Sequence, residues 1–224
     1  LYYGRIPGMK NFSIKEPMES TFGLPVYVHN NAAVVALSEY RYGIAMRHEA
    51  LLTVLIRTGV GGSFINRGNI FVTNNRTTLE IGHMLIDMGG RLCGCGREGC
   101  LEPYVSEDAI LSDLSAQLER EVDIEGLDRL LGEGDPGTLE LLSGKAEILA
   151  EGMGTLFQLF GPDSFLIVTR SERLSSFFEE KVRNSLSCEP NGRALDECAV
   201  LSCRYDPILA GIGAGDLVLD QFFS

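Results

Sequence analysis

Apolar and polar positions along this chain alternate between a period near two and a period near 3.6, and the switch points outline its elements. Residues 1–25, with Gly8, Pro17 and Pro25 among polar neighbours, predict an irregular connection ending in a short buried strand at 25–29. The run AAVVALSEYRYGIAM, residues 32–46, spaces apolar side chains at helical intervals, with Asn30 or Asn31 available as N-cap. ALLTVLIR, residues 50–57, is a near-continuous apolar run of strand length. After TGVGGSF a second strand-like piece follows around 64–72, so the pair predicts a hairpin with glycines at its turn. From 107 to about 151 the pattern turns helical and acidic, broken at GEGDPG, and its charged faces suit solvated surface. An amphipathic helix at 145–160, a buried strand at 164–169, a helix near 174–186, a strand at 197–203 and an Ala/Gly-rich helix at 206–223 complete the chain. Strands that alternate with helices predict an α/β sheet covered by helices.

Composition narrows the function classes. With 224 residues and 45% hydrophobic content, the chain can build one large domain or two modest ones sharing an interface. A net charge of −12 repels a phosphate backbone, so these residues by themselves are not expected to bind DNA. No apolar run reaches the roughly 18 residues a bilayer span needs, and LYYGRIPGMK lacks the layout of a secretory signal. Both point to a soluble, cytoplasmic protein. A start at Leu1 without cap or strand signal reads as a piece of something longer.

Six cysteines divide into a cluster, Cys93, Cys95 and Cys100, and three scattered ones, Cys188, Cys198 and Cys203. The scattered three read as small buried hydrophobes. The cluster does not. Together with His83 it supplies three thiolates and one imidazole, a donor set suited to tetrahedral zinc, and Gly94, Gly96 and Gly99 let the backbone fold so that all four face one ion. Four protein ligands leave no open position, so such a metal is structural. A Gly-rich loop with idle thiols is the plainer alternative, and redox chemistry at the C-x-C pair leaves His83 and Cys100 unexplained.

The string GHMLIDMGGRLCGCGREGCLE resembles the signature of the ROK family (repressors, open reading frames and sugar kinases), where a GH is followed at fixed spacing by CxCGxxGCxE. VYVHNNAAVVALSE is similar to that family's strand-to-helix segment carrying Asn-Asp, RTGVGGSFINRG to its glycine-rich hairpin, and GAGDLVLDQFF to its terminal helix. The resemblance implies an actin-like ATPase, ribonuclease-H-like fold, mostly its second lobe. Residues 1–25 would end the first lobe, 26–205 would form the sugar-binding lobe with a zinc loop at 80–102, and 206–224 would pack back toward the first lobe. It further implies a sugar held by Asn30, Asn31, Glu80, His83 and Glu102, and nucleotide contacts from Thr58, Gly59, Gly61 and Gly62. Carboxylates and amides are apt partners for a ring of hydroxyls.

Departures from the family pattern separate sensing from catalysis. In family kinases the Asp of Asn-Asp takes the proton from the attacking hydroxyl; here Asn31 stands there, and a carboxamide cannot accept it. LIVTRSERL places Thr169, Arg170 and Ser171 where kinases run glycines toward the nucleotide. No Asp-x-Gly-x-Thr phosphate loop is present. The expected function is therefore the sugar-binding effector part of a ROK transcriptional regulator, a homodimer or homotetramer that meets DNA through a region upstream of this chain. A ROK sugar kinase using ATP and Mg²⁺ is the enzyme alternative, and a zinc-held scaffold with neither ligand is a third.

Overall fold

The computed structural model describes residues 13–72, 79–186 and 198–223. Among the described residues five strands form one mixed sheet in the order β3-β2-β1-β4-β5. Strand β1 (Ala50–Ile56) pairs antiparallel with β2 (Val60–Asn66), Ile56 opposite Val60, and β2 pairs with the short β3 (Asn69–Ile70). On its other side β1 pairs in parallel with β4 (Ser164–Thr169), and β4 with β5 (Ala199–Arg204). Strand β4 is buried along its whole length, as its unbroken apolar run requires for a strand covered on both faces.

The two faces of the sheet take alternate residues. Leu52, Val54, Ile56, Phe165 and Ile167 point into a large core with α4 (Glu107–Gln117), α5 (Ile124–Glu133), α6 (Pro136–Phe160) and α7 (Glu172–Leu186). Leu51, Leu55, Leu166 and Val168 point into a smaller one beneath α2 (Asn31–Tyr42) and α8 (Pro207–Phe223). Between β2 and α4 lie a 3₁₀ turn at Ile81–His83 and the four-residue α3 (Glu102–Val105). No helix among the described residues is long and apolar enough to cross a membrane.

Several expectations change. Residues 15–22 form a helix, α1 (Lys15–Phe22), instead of irregular connection: Pro17 falls in the first turn, where its missing N–H has no intrahelical role, and Gly23 closes the helix at φ 64°. The strand expected at 25–29 does not form: these residues pair with none of the described strands, and Tyr27 and Val28 are 44% and 49% exposed, without the cover that a buried strand needs. Helix α2 ends at Tyr42, four residues early, at Gly43. The acidic helical stretch breaks twice. Asp123 caps α5 through the Gly126 N–H, and Asp135 caps α6 through the Thr138 N–H at 2.8 Å, so α6 absorbs the helix expected from 145. Cys188 lies outside the described residues, while Cys198 and Cys203 pack against the two cores.

Helix α8 meets α2 through Gly213, where an added Cβ would stand 2.4 Å from the Val34 carbonyl oxygen; at Gly211 it would meet nothing within 4 Å. Alanine gains about 1 kcal/mol of helix propensity over glycine at either position. Gly211→Ala is therefore expected to stabilise the fold by about 0.5–1 kcal/mol, and Gly213→Ala to destabilise it by about 1–2 kcal/mol because overpacking outweighs the gain. Urea denaturation of the two variants tests this, and equal midpoints would refute the close approach.

Candidate functional site

The signature stretch folds back on itself twice. Leu85 bridges Cys100 and Leu92 bridges Glu98, and a tight turn closes with the Cys93 N–H on the Arg97 carbonyl at 2.7 Å and the Gly96 N–H on the Cys93 carbonyl at 2.9 Å. Gly99 sits at φ 78°, and a Cβ there would lie 1.7 Å from the Asp87 carbonyl oxygen, so only glycine lets these two passes touch. The folding gathers four donors. His83 Nδ1 lies 3.5 Å from Cys93 Sγ, Cys95 Sγ lies 3.7 Å from Cys100 Sγ, and all four ligand atoms fall within 4.8 Å of one another. Tetrahedral zinc with Zn–S near 2.3 Å spaces its sulfurs about 3.8 Å apart and an imidazole nitrogen about 3.6 Å from sulfur, so the quartet is preshaped for that ion.

The thiols are unequal. Burial pushes Cys93 up to about 12 and raises Cys100, whereas the backbone N–H and guanidinium of Arg97 pull Cys95 down to about 6. Arg97 also donates to the His83 carbonyl at 2.9 Å, fixing the 3₁₀ turn to the loop.

Next to this cluster lies one short plate, Val60 to Gly62 at the start of β2, which the chain approaches from both faces. Glu102, half-buried at the first position of α3, accepts the Val60 N–H at 3.1 Å. Gly82 lies so flat on Val60 that a Cβ would come within 2.3 Å of its carbonyl oxygen, which seats the Ile81–His83 turn on the strand start. A Cβ on Gly61 would stand 3.3 Å from the Ala32 methyl, which brings the N-terminus of α2, with exposed Asn31, to the plate's other side. Asn30 caps α2, its side-chain oxygen accepting the Ala32 N–H at 2.8 Å. The Ile81–His83 turn and the start of α2 thus meet opposite faces of the plate. Of the nucleotide candidates, Thr58 and Gly59 lie in the turn before β2, while Gly61 and Gly62 lie within it and give α2 and Ile81 room to approach.

A second cluster, of which the sequence reading named Arg170 and Ser171 but missed Glu107, Arg57 and Tyr205, closes the carboxyl ends of the parallel strands, where open α/β sheets hold their ligands. Glu107 is fully buried and accepts the Arg170 backbone N–H at 2.5 Å and the Arg170 guanidinium. Burial raises its carboxyl above the ordinary range, and Arg170 opposes the rise without cancelling it. The guanidinium of Arg57, at the end of β1, lies 4.2 Å over the Tyr205 ring after β5. Ser171 caps α7 through the Leu174 N–H at 3.0 Å and bonds Asp128. A cavity of about 700 Å³ opens beside them, lined by Ile124, Asp128, Arg170, Arg173, Phe177 and Arg204. Glu107 looked like one more acid on a solvated helical face; its partner is 63 residues away in sequence, beyond any local pattern.

Comparison with known proteins agrees with these features. The ROK family pattern matches residues 2–202. The chain is 27% identical over 217 residues to the xylose repressor of Bacillus subtilis (strain 168), covering 95% of this chain and 55% of that protein. It is 30% identical over 174 residues to a glucokinase of Streptomyces coelicolor, covering 69% of this chain and 54% of that one. Among solved structures, a ROK family glucokinase from Streptomyces griseus in complex with glucose and AMPPNP superposes with a TM-score of 0.81 at 25% identity, over 91% of this chain and 71% of that one. A ROK family transcriptional regulator, a homologue of the Escherichia coli MLC protein, gives 0.78 at 22% identity over 89% and 53%, and so a likeness of fold. The chain spans about half the length of the curated relatives it matches. Its sheet and flanking helices are those of the actin-like ATPase fold shared by these sugar kinases and regulators. On the matched span and the folded signature together, the chain belongs to the ROK family.

Proposed function

We propose that this chain is the sugar-binding effector part of a ROK transcriptional regulator, and that it binds sugar without phosphorylating it. One observation carries the reading: a carboxamide, Asn31, stands exposed at the start of α2 where the resemblance leads one to expect the base, while Glu102 is kept and accepts the Val60 N–H. Glu80 and Glu102 accept sugar hydroxyls, while Asn30 and Asn31 line the same edge. His83, with Nδ1 turned to the cysteines, presents its Nε2–H to the ligand; a zinc ion held by His83, Cys93, Cys95 and Cys100 supplies only rigidity. Arg170 and Glu107 occupying the carboxyl ends of β1 and β4 further support binding without phosphoryl transfer. Residues 26–205 form the sugar-binding lobe, DNA is met by residues outside this chain, and differential affinity for sugar shifts the orientation of lobes in a dimer or tetramer.

The kinase alternative draws on the glucokinase relative and on the cavity beside Arg170. Calorimetry of the intact protein against hexoses, pentoses and N-acetyl sugars, with ADP release followed in parallel under ATP and Mg²⁺, separates the two. A sensor gives sugar heat and no ADP, whereas rapid ADP formation with any sugar defeats the proposal. Asn31→Asp sharpens the test: a working kinase gains about 10²- to 10⁴-fold from a restored base, and a sensor gains nothing.

A further inference from the structure

The four residues of α3 carry Glu102 at their head; the Glu102 carbonyl accepts the Ser106 N–H at 3.1 Å, but a helix this short leaves the Pro103 and Tyr104 carbonyls to find partners elsewhere. Two cations supply partners. Lys145, 6% exposed in the middle of α6, donates to the Tyr104 carbonyl at 2.7 Å, and Arg91 of the cysteine loop donates to the Pro103 carbonyl at 3.2 Å. Both converge on Asp113 of α4, at 2.5 Å from Lys145 and 2.9 Å from Arg91. The Tyr104 hydroxyl completes the frame by accepting the Arg91 backbone N–H at 2.8 Å and donating to Asp87 at 2.7 Å. Gly90 makes room, since a Cβ there would fall 2.1 Å from that hydroxyl.

Burying a lysine is costly, and here the ammonium is used to grip the backbone two residues after Glu102. We infer that Lys145 and Asp113 are positioning residues for the sugar plate: they fix α3 against α6, aim Glu102 at Val60, and bind the cysteine loop to the same frame through Arg91. The inference rests on the sugar-binding reading for its purpose but not for its geometry. Metal loop and carboxylate are then set by one shared anion, so that a change in either is felt by the other.

Amide hydrogen exchange of the zinc-loaded protein tests the geometry, because the Val60 N–H reports directly on the Glu102 carboxylate. Lys145→Met is expected to speed Val60 exchange by about 10-fold or more while leaving Leu166 and Ile167 in β4 unchanged and zinc stoichiometry at one per chain. Should that variant fail to fold, Asp113→Asn keeps the shape of the site and is read in the same way. Unchanged Val60 exchange, or equal acceleration at Val60 and β4, overturns the inference. Sugar affinity supplies the second readout: Lys145→Met weakens it about 10-fold, and the loss disappears on a Glu102→Gln background, which a purely structural role would not produce. If the wild-type protein binds no sugar while the Val60 result holds, the sugar reading fails and the positioning role stands.

Discussion

Replacing Cys100 with serine is expected to lower zinc affinity by about 100-fold or more and to release residues 84–100 from the body of the protein. The size of the effect follows from what else holds the loop. Three of its large apolar side chains face outward, Leu85, Met88 and Leu92 at 59%, 88% and 71% exposure, so burial, confined to Met84 and Ile86, contributes little and the four ligands add the main cohesion to the ties through Arg91, Asp87 and Arg97. Competition against a chromophoric chelator gives the affinity, and amide exchange across 84–100 gives the release. A loop that exchanges equally slowly with and without chelator would show that hydrogen bonds alone keep it folded. Acid works in the same direction. Zinc displaces the thiol protons, and burial holds Cys93 up to about 12, so zinc affinity falls as pH is lowered from about 8 to about 6.

Glu107→Ala is the second large effect, expected to destabilise the fold by about 3 kcal/mol. Removing one partner of a buried pair typically costs about 3–5 kcal/mol. The low end applies because the Arg170 side chain is 34% exposed and can turn to water, although its backbone N–H loses its acceptor. Glu107→Gln keeps the shape but only one of the two acceptor oxygens, so at neutral pH it costs less than the alanine, about 1–2 kcal/mol. The carboxyl is raised by burial above its ordinary 4.5, and the folded state therefore holds this proton to higher pH than the unfolded chain. That contribution is full below about 4.5 and fades as pH rises through the raised value, so the gap between wild type and Glu107→Gln is wider at pH 4 than at pH 7. Urea midpoints at the two pH values measure it, and a gap that widens toward pH 7 would contradict the assignment.

What was legible in the sequence was what is local. The β4 run is apolar at every position but its ends, and it is a strand buried from end to end. His83 and the three cysteines lie within eighteen residues, close enough for spacing alone to foretell a common ligand point. The failures have equally physical causes. Pro17 signalled a break because a proline inside a helix is costly, yet in a first turn it is harmless. Residues 25–29 have strand propensity but pair with none of the described strands and stay half-exposed at Tyr27 and Val28. Lys145 and Asp113 sat unremarked in an acidic helical stretch, since a buried ion pair between two helices leaves no trace in either helix's own period.

Helix α2 carries Asn30 and Asn31 at one end and, further along, lies against Gly213 of α8 with no room for a side chain between them. Such backbone-to-backbone seating resists sliding: the two helices turn together or not at all. Arg41 of α2 reinforces it with ion pairs to Asp216 and Asp220 at 3.1 and 2.7 Å. Helix α8 is therefore geared to the start of α2, proposed above to meet the sugar, and a tilt of a few degrees at Asn31 is expected to reappear as a displacement at the far end of α8.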